Sequence, residues 1–364
     1  MQGTYLKIDL NHLKHNYEYL RSKIAPNVKM LGVVKALSYG SDSIAISKYL
    51  QDLGVDYLAV AYAEEGVDLR NNGIDLPILV LHAQPHNYDL LIEYNLEPNL
   101  YSFRVFKLFA ESVIKKNIKD YPVHIKFNSG LNRLGFNIED IHDLYENIQS
   151  SSVKIASVFS HLAASEDLNE IAFTKQQITS FTQFSQELVQ LLGYTPILHQ
   201  TNTSGILNFP EAHFSMVRTG IGLYGYGNDA KYDKNLKSVA SLHSVISQIH
   251  ELQPGDSLGY NRGFKAASYT KTATIAIGHA DGIGRIYGNE KGFVLINNKK
   301  AYILGNVCMD MIMVDVTHID CEEGDEVIIF NDVHSANRLA EAAGTISYEL
   351  ITGIGSRVKR LLSK

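Results

Sequence analysis

Between about residues 29 and 220 the chain alternates short apolar, β-branched runs with longer stretches whose apolar positions recur every three to four residues. The short runs predict strands over 30–34, 57–61, 78–81, 96–99, 123–127, 155–159, 197–199 and 216–218. The longer stretches predict helices over 43–53, 64–72, 103–116 and 169–192, the first capped by Ser43 and stopped at Gly54. Eight strand–helix units in a row predict an α/β fold, an N-terminal (β/α)8 TIM-like barrel, with an open doubly wound sheet as the alternative.

Beyond about residue 235 the pattern changes. Runs at 238–249, 271–277, 292–296, 301–304, 311–316 and 326–330 are rich in Val, Ile and Thr and are broken by Gly, Asp and Asn turns. Helices are expected only at 336–343 and 346–354. The expected organisation is a barrel over 11–234, then a C-terminal mainly β domain over 235–364, joined by an N-terminal strand within 1–10.

A formal charge of −6 argues against nucleic acid as the partner, because phosphate-backbone binding needs a basic face. No apolar run approaches the length of a membrane span. The opening MQGTYLKIDL has neither the basic start nor the apolar core of a signal peptide, and only two cysteines occur, Cys308 and Cys321. The expectation is a cytoplasmic protein. Its histidines, among them His12, His15, His82 and His86, show no metal-ligand spacing, so no metal is expected.

A barrel builds its site at the C-terminal ends of its strands. Lys35 follows the first strand, Lys126 closes the fifth, and Asn128 and Arg133 come just after it. His161 follows the sixth strand, Asn202 the seventh, and Arg218 ends the eighth. An apolar strand that delivers a lysine to a barrel mouth lowers its pKa by desolvation, as a lysine that condenses with a carbonyl requires. The plain alternative is a lysine snorkelling from a strand end. The turn Thr219-Gly220-Ile221-Gly222 suits backbone amides around a phosphate, although a tight turn alone would also explain it. Together they point to pyridoxal phosphate or a phosphorylated substrate.

The string VVKALSYG resembles the cofactor-attachment signature of the alanine racemases. The resemblance continues through KFNSGLNRLGF, SHLAAS, QTNTSG, VRTGIGLYGY, PGDSLGY, GHADGIGR, GNVCMDMIMVDVT and GTISYELITGIGSRV. It implies a homodimer with shared active sites that interconverts L- and D-alanine using pyridoxal 5′-phosphate and supplies D-alanine for peptidoglycan. By the same resemblance Lys35 carries the cofactor and serves as one acid/base group, and Tyr260 of the partner subunit is the other. Arg218 faces the pyridine nitrogen, supported by His161. Tyr39, Thr203, Gly220, Ile221 and Tyr348 form the phosphate shell, with Asn202 beside them. Arg133 binds the substrate carboxylate, the Met309 backbone joins it from the other subunit, and Lys126 matches a lysine that the family often carries as a carbamate.

Departures from the family pattern are Leu37, Ser38 and Ser41 after the lysine, Asn128 for an aspartate, Thr219 for a proline, and His279 for a tyrosine that narrows the substrate entrance. The last implies a wider or pH-sensitive entrance, and so activity on serine or slightly larger amino acids. Competing readings are a decarboxylase of the same barrel type, drawing on Cys308 near Asp310, and a cofactor carrier without turnover.

Overall fold

The computed structural model describes residues 3–332 and 334–364; residues 1, 2 and 333 lie outside it, among them the first two of the expected N-terminal segment. By its internal contacts the chain divides into two compact units. One comprises Lys14–Ser38 and Ser43–Leu236, and the other Met1–Leu13, Tyr39–Asp42 and Lys237–Lys364.

In the first unit eight strands run parallel in sequence order. They are Lys29–Val33, Tyr57–Val60, Ile78–Val80, Glu97–Leu100, Tyr121–Lys126, Val153–Phe159, Ile197–His199 and Met216–Thr219. The first pairs with the last, placing Leu31 opposite Arg218. The seventh and eighth are joined where Ser215 N–H donates to Leu198 O at 3.0 Å and Arg218 N–H to Thr201 O at 3.3 Å. The sheet therefore closes on itself, which removes the open-sheet alternative.

Closure explains the composition of the strands. Ile78–Val80 and Tyr57–Val60 are buried along their whole length, because one side faces the barrel core and the other the surrounding helices. Leu31, Tyr57, Ala59, Leu79, Phe159 and Met216 pack together in that core. Helix Phe103–Lys115 shows how the outer layer forms: Val105, Phe106, Phe109, Ala110 and Val113 fall on one face, and Ser102 Oγ caps the start by accepting the Val105 N–H. The expected helix from residue 169 begins instead at Ile171, since Asp167 accepts the Asn169 N–H and holds a short 3-10 turn there.

The second unit is antiparallel for the most part. Its long strand Ala240–Leu252 is bulged near Ile246 and Gln248, which lets it pair with both Thr270–Ile275 and Glu326–Phe330. Phe293–Ile296, Lys299–Leu304 and Ile312–Asp315 complete a closed run of six strands. Tyr5–Asp9 adds beside Ala240–Leu252 with Leu6 opposite Leu242, and the last strand, Lys359–Ser363, lies parallel to it.

Candidate active site

Lys35 stands just beyond the first barrel strand and opens a six-residue helical segment, Lys35–Gly40. That segment has the wrong hand for L-residues: Ala36, Leu37, Ser38 and Tyr39 all have φ between 52° and 55°. Such residues cost about 1–2 kcal/mol each, so a run of four persists only where the surroundings hold it, a hallmark of functional sites. Glu65, in the first turn of helix Ala63–Asn71, is one such hold. Its Oε1 accepts the Ala36 N–H at 2.7 Å, while Oε2 accepts those of Ala61 at 2.6 Å and Tyr62 at 3.2 Å. Burial first, then the Arg133 guanidinium, lowers the pKa of the Lys35 ammonium, and Glu65 opposes them. A strained backbone thus presents an amine that gives up its proton more readily than a surface lysine.

Around it the first unit gathers positive charge. Lys126 is buried, with Nζ 4.7 Å from the centre of the Phe159 ring. No carboxylate among the described residues lies within ion-pair distance of it, and burial, Arg218 and Arg133 hold its pKa well below the usual lysine range. Arg218 donates in every contact it makes. Nη1 donates to His199 Nδ1 at 2.7 Å and His199 O at 3.3 Å; Nη2 donates to Ser160 O at 2.7 Å, Gln200 O at 3.0 Å and His161 Nδ1 at 3.0 Å. Burial pushes the guanidinium down to about 9, still above neutrality, so it stays charged. Arg133 is exposed on the loop after the fifth strand. Asn128 shapes that loop, its Oδ1 accepting the N–H groups of Gly130 at 3.2 Å and Asn132 at 3.0 Å.

His161 and His199 are both held well below the ordinary histidine range, by burial first and the Arg218 charge second. The consequence for stability has a definite sign. In the folded chain these rings stay neutral, whereas in the unfolded chain they take up protons near the ordinary value of 6.5. The unfolded state then binds more protons, so stability falls as pH drops through about 6.5. Melting temperature measured from pH 8 down to 5 should decline from about 6.5 downwards; a flat profile would contradict the neutral, buried assignment.

At the end of the eighth strand, Gly222 is fixed by space: a Cβ there would come within 2.5 Å of Thr203 Cγ2. The Gly222 N–H donates to Thr203 Oγ1 at 3.2 Å. Asn202 caps the short helix Thr203–Asn208, its Oδ1 accepting from Gly205 N–H at 2.9 Å and Ser165 Oγ at 2.7 Å. The N–H groups of Gly220 and Ile221 meet no acceptor among the described residues. Since the first and eighth strands are neighbours, a lowered amine and a pair of unfilled amide donors stand at adjacent strand ends. That is the donor set an aldehyde bearing a phosphate requires, and the residues present fit one.

The second unit holds the remaining candidates. Tyr39 and Tyr348 approach with ring centres 6.1 Å apart. Tyr260 is 74% exposed in the 3-10 turn Tyr260–Arg262, and Met309 is 59% exposed. The two loops are tied from behind: Asn306 Nδ2 donates to Tyr260 O at 3.1 Å, and Ala280 N–H donates to Met309 O at 3.0 Å. His279, on an exposed turn, donates its N–H to Cys308 O at 2.9 Å. Arg357 clasps Asp281 and Asp310 beneath that turn, at 2.6 Å and 2.7 Å.

The barrel strands also hold residues that no motif pointed to, His124 and Ser157 within strands and His199 at the end of one, along with Glu65 and Glu97 at element starts. A histidine in an apolar strand is the one signal the sequence offers for His124 and His199, because a buried imidazole needs partners. Among the described residues no cluster of His, Cys, Asp and Glu could hold a metal ion, and no helix is long and apolar enough to cross a membrane.

Fold and site define a (β/α)8-barrel protein with a half-buried lysine, its pKa lowered by burial, at the barrel mouth, followed by a β unit. Family models describing the alanine racemase N-terminal and C-terminal domains match residues 8–228 and 239–362. The chain belongs to the alanine racemase family. The alanine racemase of Halothermothrix orenii is 36% identical, the match covering 98% of this chain and 96% of that one. The structure of alanine racemase from Clostridium difficile 630 superposes with a TM-score of 0.93 at 31% identity, over 100% of this chain and 96% of that one. The structure from Bartonella henselae, which holds covalently bound pyridoxal phosphate, gives 0.92 at 28% identity over 100% of both chains.

Proposed function

We propose that this chain interconverts L- and D-alanine with pyridoxal 5′-phosphate held through Lys35. The observation that carries the reading is the setting of Lys35: a half-buried amine, lowered by burial and Arg133, on a left-handed turn that Glu65 braces. When bound, the cofactor supplies the electron sink that makes the proton on the substrate α-carbon labile. Lys35 moves that proton on one face. Arg218, a donor in all its contacts, offers the pyridine nitrogen a hydrogen bond without surrendering a proton. A donor that keeps its proton would favour returning the proton to carbon over transamination and would give no help to decarboxylation.

Gly220 and Ile221 N–H groups and the Thr203 hydroxyl are assigned to the phosphate, with Tyr39 and Tyr348 joining them by resemblance. Asn202 acts on this group through the helix start that it caps. Arg133 takes the substrate carboxylate. Lys126, a buried amine among cations with no acid to pair with among the described residues, has the surroundings in which a carbamate would be stabilised; its negative charge would anchor Arg133.

Racemisation needs a second proton-transfer group on the far face. Tyr260 of the partner subunit fills that role, with the Met309 backbone of the partner subunit beside the substrate. The exposure of both residues supports this, since their own unit leaves them uncovered. The chain is accordingly read as a cytoplasmic homodimer; its two free thiols suit a reducing compartment. The exposed His279 supports a wider entrance that also admits serine.

Mixing Lys35→Ala and Tyr260→Phe subunits tests the shared site. Each variant alone should be nearly inactive, and hybrids, carrying one intact site of two, should recover up to about a quarter of wild-type activity if subunits mix at random. Exchange verified by mass with no recovery would rule out a composite site.

A further inference from the structure

Arginine can only donate hydrogen bonds, and that fixes the direction of every bond in a chain that crosses the barrel core. Arg218 Nη1 donates to His199 Nδ1 at 2.7 Å, so that nitrogen carries no proton. Neutral His199 therefore has its proton on Nε2 and donates it to Ser157 Oγ, 2.8 Å away. Ser157 has one hydroxyl proton, which goes to His124 Nδ1 at 2.5 Å. His124 is then protonated on Nε2, which donates to Glu97 Oε2 at 2.8 Å. This is the arrangement in which every hydrogen meets an acceptor. It has a cation at one end and a carboxylate at the other.

The chain is enclosed. His124, Ser157 and His199 have no exposed surface, and the His199 ring is stacked on Phe159 at 4.8 Å. Its ends lie at opposite poles of the barrel strands. Arg218 is next to last in the eighth strand, while Glu97 is the first residue of the fourth. Glu97 borders an open cavity of about 390 Å³ that Arg70, Asp75, Lys119 and Asp120 also line. Burial first, then the neighbouring Glu97 carboxylate, pushes the Tyr57 hydroxyl up. A guanidinium buried without an adjacent acid is costly, and among the described residues Arg218 has no carboxylate in contact. Its nearest counterweight along hydrogen bonds is Glu97.

We propose that Glu97, His124 and Ser157 are positioning residues: with His199 they form a one-directional hydrogen-bond chain that keeps His199 an acceptor for Arg218 and balances the buried guanidinium from the far end of the barrel. The chain stands on its own geometry; its effect on catalysis rests on the reading that Arg218 contacts the cofactor.

The test is side-chain ¹⁵N NMR of histidine-labelled, cofactor-loaded protein, with the two resonances assigned by His124→Gln and His199→Gln. His124 and His199 should both appear as the Nε2–H form near pH 8, and His199 should stay neutral as the pH falls to about 6. A proton on Nδ1 of either ring would overturn the chain. In parallel, cofactor affinity is measured by absorbance for Ser157→Ala and Glu97→Gln, the second of which keeps an acceptor but removes the charge. Both should bind about 10-fold more weakly, the scale of one hydrogen bond to a charged group, and kcat should fall more than KM rises. Correct tautomers with unchanged affinity in both variants would refute the positioning role. Correct tautomers and weakened binding in a protein that never racemises would leave the chain standing and remove the functional reading. If Ser157→Ala does not fold, Glu97→Gln and the wild-type tautomers still decide.

Discussion

Lys35→Ala should abolish racemisation, lowering kcat/KM by roughly 10⁴-fold or more, because on the proposed function one side chain would both hold the cofactor and move a proton. The loss should be visible before any assay: the absorbance of lysine-linked cofactor disappears while the fold, read by far-UV circular dichroism and melting, is retained. Lys35 is half-buried and its amine is kept low by burial and Arg133, so removing the charge relieves repulsion within the group formed with Arg133, Arg218 and Lys126. Melting temperature should therefore hold or rise. Substantial activity in Lys35→Ala would refute the assignment of this residue. A collapsed fold would show instead that the lysine serves structure.

Gly40→Ala is expected to be the most damaging single-atom-scale change in the second unit. Gly40 has φ +80°, and an added Cβ would fall 1.9 Å from the carbonyl oxygen of Ile351, which is backbone and cannot swing away. The segment is also clamped: Arg360 Nη2 donates to Gly40 O at 3.0 Å and its Nε to Ser41 O at 3.3 Å. Left-handed strain plus collision should cost about 3–5 kcal/mol, on the order of a 10 °C fall in Tm. Gly54→Ala is the control, with a similar φ of +84° and nothing within 4 Å of the added Cβ. It should lose only about 1 kcal/mol. Equal losses at the two positions would mean that strain alone, not the close approach to Ile351, decides.

Much of this was legible in the chain. Eight apolar runs located the eight barrel strands to within a few residues, because strands covered on both faces read as continuous hydrophobic segments. Lys35, Lys126, His161 and Arg218 could be placed at one mouth by counting strand ends, and the structure brings them together around Phe159 and Arg133. The left-handed turn after Lys35 could not be read. Ala36, Leu37, Ser38 and Tyr39 include no Gly or Asn to announce a positive φ, and a carboxylate from 29 residues further on braces it. That is tertiary structure overriding local preference. Glu97, His124 and Ser157 were missed for a related reason. Each is an ordinary polar residue in its own strand, and the chain exists only once neighbouring strands are in register, as where His124 pairs with Ser157. The helix-capping role of Asn202 could not be read either: its Oδ1 accepts from the Gly205 N–H and from Ser165 Oγ, contacts that form only in the folded barrel.

On the proposed function, two groups on opposite faces exchange the α-proton of alanine with solvent. This is tested most directly by incubating the cofactor-loaded protein with L-alanine in deuterated water and following chirality, deuterium at the α-carbon and amine release together. D-alanine carrying deuterium at the α-carbon is expected, with no release of amine. Ethylamine formed by loss of carbon dioxide, or L-alanine recovered unlabelled and unchanged, would contradict it.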